Sequence, residues 1–229
     1  MIQLPGPVVS RANERAVIPF ITARKGEEAA PANLYLLPQR GTGQLRLFYG
    51  DEDARDRSVA EMLWARSAFS MGDGGIPTGE PLWKFVHPYR QMATMLANCC
   101  EICTRPARTP LGLIFLAGPK DHDLTSPVIS TWQPPVCARH VRTALKLCPH
   151  LEGSPMVCVA RSAPLYGVIG TVYGPGPGGS VVAVEEPDEP VKFNDPRVPR
   201  TLASQLARRL ASFQVLDVDE VLTELAVTA

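Results

Sequence analysis

Two short pairs of metal-binding side chains, far apart along the chain, restrict its folds more than any other feature. Cys100-x2-Cys103 is followed by 33 residues and then by Cys137-x2-His140. Two sulfurs two residues apart can turn onto one ion in a tight knuckle. Two such pairs supply four ligands, the number that a closed tetrahedral Zn2+ site takes. Thiolates with one imidazole favour zinc over the hard cations Mg2+ and Ca2+. A fold that honours the pattern must therefore bring residues 100–103 and 137–140 together. Residues 99–150 hold five of the six cysteines and three of the four histidines, so ligand-type side chains are concentrated there. Cys99 adjoins Cys100, but the two-residue spacing selects Cys100 and leaves Cys99 to the apolar face of the preceding helix.

That helix is expected to start at His87-Pro88, because proline loses nothing at a first helical turn. Met92, Met95, Leu96 and Cys99 mark its inward face, and His87 reads as a cap or surface residue. The second ligand pair opens another helix, in which Val141, Leu145 and Cys148 recur on one side and which Pro149 ends. Elsewhere the chain reads mostly as strands. Val, Ile, Leu and aromatic side chains are dense at 16–23, 34–37, 44–49, 111–116, 156–161, 165–173, 180–185 and 191–193. The GPGPGG run at 174–179 reads as a hairpin turn. Leu202, Leu206, Leu210 and Phe213 predict an amphipathic helix, and 218–225 a final one capped by Asp217. Residues 58–69 fit helix or strand equally. The expected class is α+β: short antiparallel strands and a few helices in one domain over 1–229, with a metal module at 85–151 inside it.

The acidic run at 51–56 lacks the glycine and terminal glutamate of a calcium loop and reads as a solvated turn or helix start. Residues 71–81, rich in glycine and proline, lack the lysine-serine of a phosphate cradle. No run of apolar residues is long enough for a membrane span, and the N-terminus has no secretory pattern. A cytoplasmic setting is the expectation, and it suits reduced cysteines. The chain is neutral overall, yet residues 81–150 carry eight Lys/Arg against three Asp/Glu, a net of +5. Arg105, Arg108, Arg139, Arg142 and Lys146 make the module the basic part of the molecule, with the last three spaced for one helix face. They are candidate contacts to nucleic acid or to another protein.

The helix running into C-x2-C, the PPVC-x2-ligand segment and the helix ending in CPHL (His87–Cys103 and Pro134–Leu151) together resemble a set of uncharacterised actinobacterial proteins. A knuckle followed by ligands at a helix start also resembles the treble-clef zinc modules of nucleases, nucleic-acid binders and scaffolds. The actinobacterial set usually has cysteine where this chain has His140, and Cys148 and His150 remain alternatives for the metal site or a partner contact. A weaker resemblance, to HNH-type nucleases, rests on Asp121-His122-Asp123 between the pairs. It implies His122 as the base that activates water beside a second metal.

Three functions follow. The first is a structural zinc protein that binds nucleic acid or protein. The second is an HNH-like metal-dependent nuclease using His122. The third is an accessory or tailoring enzyme of specialised metabolism, working in a cleft between the metal module and the C-terminal sheet. Hydrolase and dinucleotide motifs are missing.

Overall fold

The structure, a computed structural model, describes residues 17–28, 33–57, 59–118, 126–148, 151 and 156–227. In chain order the strands are β1 (Thr22–Arg24), β2 (Leu34–Pro38), β3 (Leu45–Tyr49), β4 (Leu63–Trp64) and β5 (Pro81–Val86). Helix α1 (Pro88–Ala97) comes next, followed by β6 (Leu113–Ala117), β7 (Ile129–Thr131) and α2 (Val141–Leu147). Then come β8 (Met156–Ser162), β9 (Leu165–Pro175), β10 (Val181–Glu185), β11 (Val191–Lys192), β12 (Thr201–Leu210), β13 (Ser212–Leu216) and α3 (Val218–Val227).

Helices and strands mix, as an α+β chain requires. The largest sheet runs β10-β9-β12-β4, with β11 added to β9 and β7 to β12. Its ladders are antiparallel except β12 against β4, which is parallel. A second sheet runs β13-β8-β6, and β1-β5 and β2-β3 are separate antiparallel pairs. Not all strands are short: β9 spans 11 residues and β12 spans 10.

The amphipathic helix expected from Leu202 to Phe213 does not form. These residues are β12 and β13. Apolar residues four apart share one side of a helix, but four is also an even number, so they share one side of a strand. Tertiary position decides. Flanked by β9 and β4, β12 buries Leu202, Ala203, Leu206, Ala207 and Leu210, more than one helical stripe would. Among the described residues of the ambiguous 58–69 segment the one strand or helix is β4, whose Leu63 and Trp64 are both buried. The other expected strands are present with shifted ends, the first shrinking to β1.

Helix α1 is fastened at both ends. The Arg90 N–H donates to Nδ1 of His87, the N-cap, at 3.4 Å, and Asn98 ends the helix in the left-handed region at φ 52°. Buried Gln91 bridges it to the large sheet: its Nε2 donates to the Leu206 carbonyl at 2.9 Å and to that of Trp132 at 2.7 Å. Its Oε1 accepts the Leu206 N–H at 2.9 Å. These bonds pair β12 backbone groups that would otherwise stand unsatisfied beside the helix. Buried Arg208 donates to the carbonyls of Met95 and Ala163, closing the other end of the same contact.

The core around α2 combines β6, β8 and the knuckle residues Cys100, Ile102 and Cys103 with Val221 and Leu225 of α3. A second core joins Met92 and Met95 of α1 to Trp64, Val168 and Leu206. As expected, the acidic 51–56 stretch forms a turn, a 3-10 turn at Ala54–Arg57. Its carboxylates are taken up by arginines: Glu52 by Arg57 at 2.6 Å, Asp53 by Arg55 at 2.6 Å and buried Asp56 by Arg66 at 2.6 Å.

Candidate metal centre

The chain leaves α1 at Asn98 and folds at once into a knuckle. The Cys100 N–H donates to the Arg105 carbonyl at 2.8 Å, and the Thr104 N–H to the Cys100 carbonyl at 2.9 Å. Closing so tight a turn puts Thr104 at φ 60°, a conformation that costs a β-branched residue energy. Its Oγ1 donates to the Cys103 carbonyl at 2.7 Å.

The second pair is aimed by a strand-like contact. The Val136 N–H donates to the Ile114 carbonyl of β6 at 2.9 Å, and the Glu101 N–H to the Pro135 carbonyl at 3.1 Å. These two bonds set the segment before Cys137 against both β6 and the knuckle. Gly112, just before β6, lets β6 itself lie close against β8: at φ 137°, a Cβ there would lie 2.5 Å from the Ala160 carbonyl oxygen. Cys137 then precedes a 3-10 turn, Ala138–His140, which runs into α2.

The result is a cluster of four. The sulfurs of Cys100, Cys103 and Cys137 and a ring nitrogen of His140 all lie within 4.8 Å of one another. Cys103 Sγ is 3.9 Å from Cys137 Sγ, and His140 Nδ1 is 3.9 Å from Cys100 Sγ and 3.3 Å from Cys137 Sγ. A tetrahedral site with metal–sulfur bonds of about 2.3 Å has sulfur–sulfur edges of about 3.8 Å, and sulfur–nitrogen edges slightly shorter. The cluster is thus of a size and shape that can hold a metal ion.

Its electrostatics point the same way. Thiols this close share protons. Cys103 is drawn well below the ordinary thiol range by Cys100 and Cys137, with help from the Arg105 N–H, while contact with Cys100 and Cys103 pushes Cys137 up. All three can be thiolates together only with a cation among them. None of the six cysteines is in a disulfide.

The other expected site residues are placed as follows. Cys99 is outside the cluster, with its Sγ 3.7 Å from the Ala97 carbonyl. Cys148 is half-buried against the module core and is not one of the four. His122 and its flanking aspartates, and also His150, lie outside the described residues. Of the basic set, Arg108, Arg139, Arg142 and Lys146 are exposed and Arg105 is half-buried. Arg142 is engaged within the chain, 2.5 Å from Asp219 of α3.

Two buried polar features carry no mark in the sequence. Glu101, between the first two ligands, is only 8 % exposed. Burial, and secondarily Cys100, pushes its carboxyl up to about 8. At the far end of α1, Arg90 grips Glu27 with Nη2–Oε2 at 2.6 Å and Nη1–Oε1 at 2.9 Å. Burial alone would raise the Glu27 carboxyl, but Arg90 and the N–H groups of Ser70 and Arg24 hold it below its usual value. His87 beside this pair is fully buried, and burial, reinforced by the Arg90 charge, lowers it to about 4. It is neutral at physiological pH, and its role is the cap. No local spacing marks Glu27 for Arg90, since 63 residues separate them.

No helix among the described residues is long and apolar enough to cross a membrane. No protein-family model matches the chain, and no curated protein or solved structure matches it.

Proposed function

We propose that Cys100, Cys103, Cys137 and His140 hold a structural Zn2+ in a treble-clef-like module over 85–151, and that the protein acts by binding a partner. The observation that carries the reading is the closed set of four ligand atoms, with separations that suit a tetrahedron. Three thiolates and an imidazole select zinc by softness and geometry. Four protein ligands leave no open position for a water, so the ion holds the fold and does not hydrolyse. A knuckle, β6 bridged to the segment before Cys137, and ligands at the start of α2 follow one another in treble-clef order.

The partner surface is the basic face over α2 and the knuckle, meeting nucleic acid or another protein. Arg139 and Lys146 make no ion pair among the described residues, so they lead this face, with Arg108, Arg105 and Arg142 around them. Metal analysis tests the first half: one zinc per chain is expected, lost in Cys103→Ser and in Cys137→Ser. Full metal content in either variant overturns it. Titration with DNA and RNA oligonucleotides at about 50 and 200 mM salt tests the second. Phosphate contacts weaken steeply over that range, and Arg139→Ala/Lys146→Ala should weaken binding further. Binding that ignores salt, or none at low salt, removes nucleic acid as the partner.

A further inference from the structure

Beside the metal centre lies a cavity of about 580 Å3, walled by the β1-β5 pair, α2, the segment after β7 and the edge of β12. Its size is that of sites for small organic molecules. Trp83, Phe85 and Trp132 give it aromatic walls, with Trp83 40 % and Phe85 64 % exposed at the rim. Large aromatic side chains left this open beside a cavity are partners waiting for an apolar surface.

The polar groups of the wall are not all matched. At the rim, exposed Glu28 and Lys84 contribute one charge of each sign. Deeper in, the charge of Glu27 is already met by Arg90. Glu101 alone is left. Its backbone is fixed on both sides, the N–H donating to the Pro135 carbonyl and the carbonyl accepting the Ile21 N–H at 3.3 Å. Glu101 lines the cavity, and its buried Oε2 finds no hydrogen-bond partner among the described residues. A buried carboxyl oxygen without a partner is costly, and a ligand's N–H would relieve it. A cation among tryptophan and phenylalanine faces gains further from their ring quadrupoles.

We propose that this cavity binds a small organic cation, an amine with an aromatic or branched apolar body, its ammonium on Glu101 and its body against Trp83, Phe85 and Trp132. The site uses none of the metal ligands, so it stands apart from the zinc reading.

Three probes of equal shape test it on the full-length, metal-loaded protein: 4-phenylbutylamine, 4-phenylbutanol and 4-phenylbutanoate, measured by calorimetry. The amine should bind at least tenfold more tightly than the carboxylate, with the alcohol between them. Glu101→Gln should cut amine affinity at least tenfold, leave the alcohol within about threefold and keep one metal ion per chain. Trp83→Ala, at the exposed rim, should weaken all three while sparing the amine's lead, and it serves if Glu101→Gln does not fold. Equal binding of amine and carboxylate, an amine preference that survives Glu101→Gln, or no binding of any probe at millimolar concentration overturns the proposal. Loss of metal from the wild-type protein with the amine preference intact would count against the zinc reading alone.

Discussion

Helix α1 joins two buried polar centres built on opposite principles. At its start, Glu27 and Arg90 complete each other: the carboxylate accepts from two guanidinium nitrogens and two backbone N–H groups, and nothing outside the chain is required. At its end, three sulfurs and an imidazole crowd together, with the Arg105 charge nearby but no ion pair to them among the described residues. The first centre is neutralised by the fold. The second gathers ligands whose charge only an added cation can balance. One should be indifferent to chelators and fragile to single substitutions, and the other the reverse of indifferent.

The largest expected effect is at the metal end. Structural zinc contributes about 10–16 kcal/mol of apparent binding energy in small finger modules. Here β6 and β8 share the support, so chelation or Cys137→Ser should remove several kcal/mol, on the order of 3–6. Urea unfolding with and without chelator measures it, and Cys99→Ser should behave as wild type. A chelator-insensitive midpoint would break the comparison.

Next comes the Glu27 end. Arg90→Met should cost about 3–5 kcal/mol, because it leaves a buried carboxylate unpaired, whereas Glu27→Leu with Arg90→Met should recover much of the loss. Metal content should be unchanged in both. Equal losses in the single and double variants would show that the pair's value lies in packing rather than in charge.

A smaller effect is pH-dependent. His87 titrates near 4 when folded against 6.5 ordinarily, so between those values the unfolded chain binds the extra proton. Stability contributed by neutral His87 is therefore present above about pH 6.5 and lost as pH falls toward 4, by about 3 kcal/mol at most. Acid also strips metal ligands, so the readout is the difference between wild type and His87→Asn, whose stability should fall less over that window. Parallel curves would sink this assignment. The smallest effect is at Arg142 and Asp219, whose side chains are 63 % and 74 % exposed. A double-mutant cycle should give about 0.5 kcal/mol or less, vanishing in high salt.

The two centres also differ in how far they could be read in advance. The knuckle's chemistry is local: two residues between Cys100 and Cys103, and two between Cys137 and His140, are fixed by what a chain must do to put both side chains on one ion. The same holds for α1, where His87-Pro88 signals a helix start, and for the 34–49 hairpin, where alternation marks one buried face. The Glu27–Arg90 pair had no such signature, because a glutamate in a charged loop looks like solvent-facing sequence until β1 and α1 enclose it. Glu101 is hidden likewise, one acid in a basic stretch. The C-terminal misreading has a different cause. Residues 201–210 combine good helix formers with a four-residue apolar spacing, and only the neighbours β9 and β4 convert them to a buried strand. Strand preference of this kind belongs to the surroundings more than to the residues.

The hydrogen bonds from Val136 to Ile114 and from Glu101 to Pro135 carry one more consequence. They hold the two arms of the cage at a set span across a 33-residue interval, so an incoming ion does not have to gather distant chain. A cage propped in this way fits one radius well and others poorly. Substituting a wider soft ion such as Cd2+ should push against β6 itself, and the strain should surface as faster amide exchange at Val136 and Glu101, the donors of these two bonds and not themselves metal ligands.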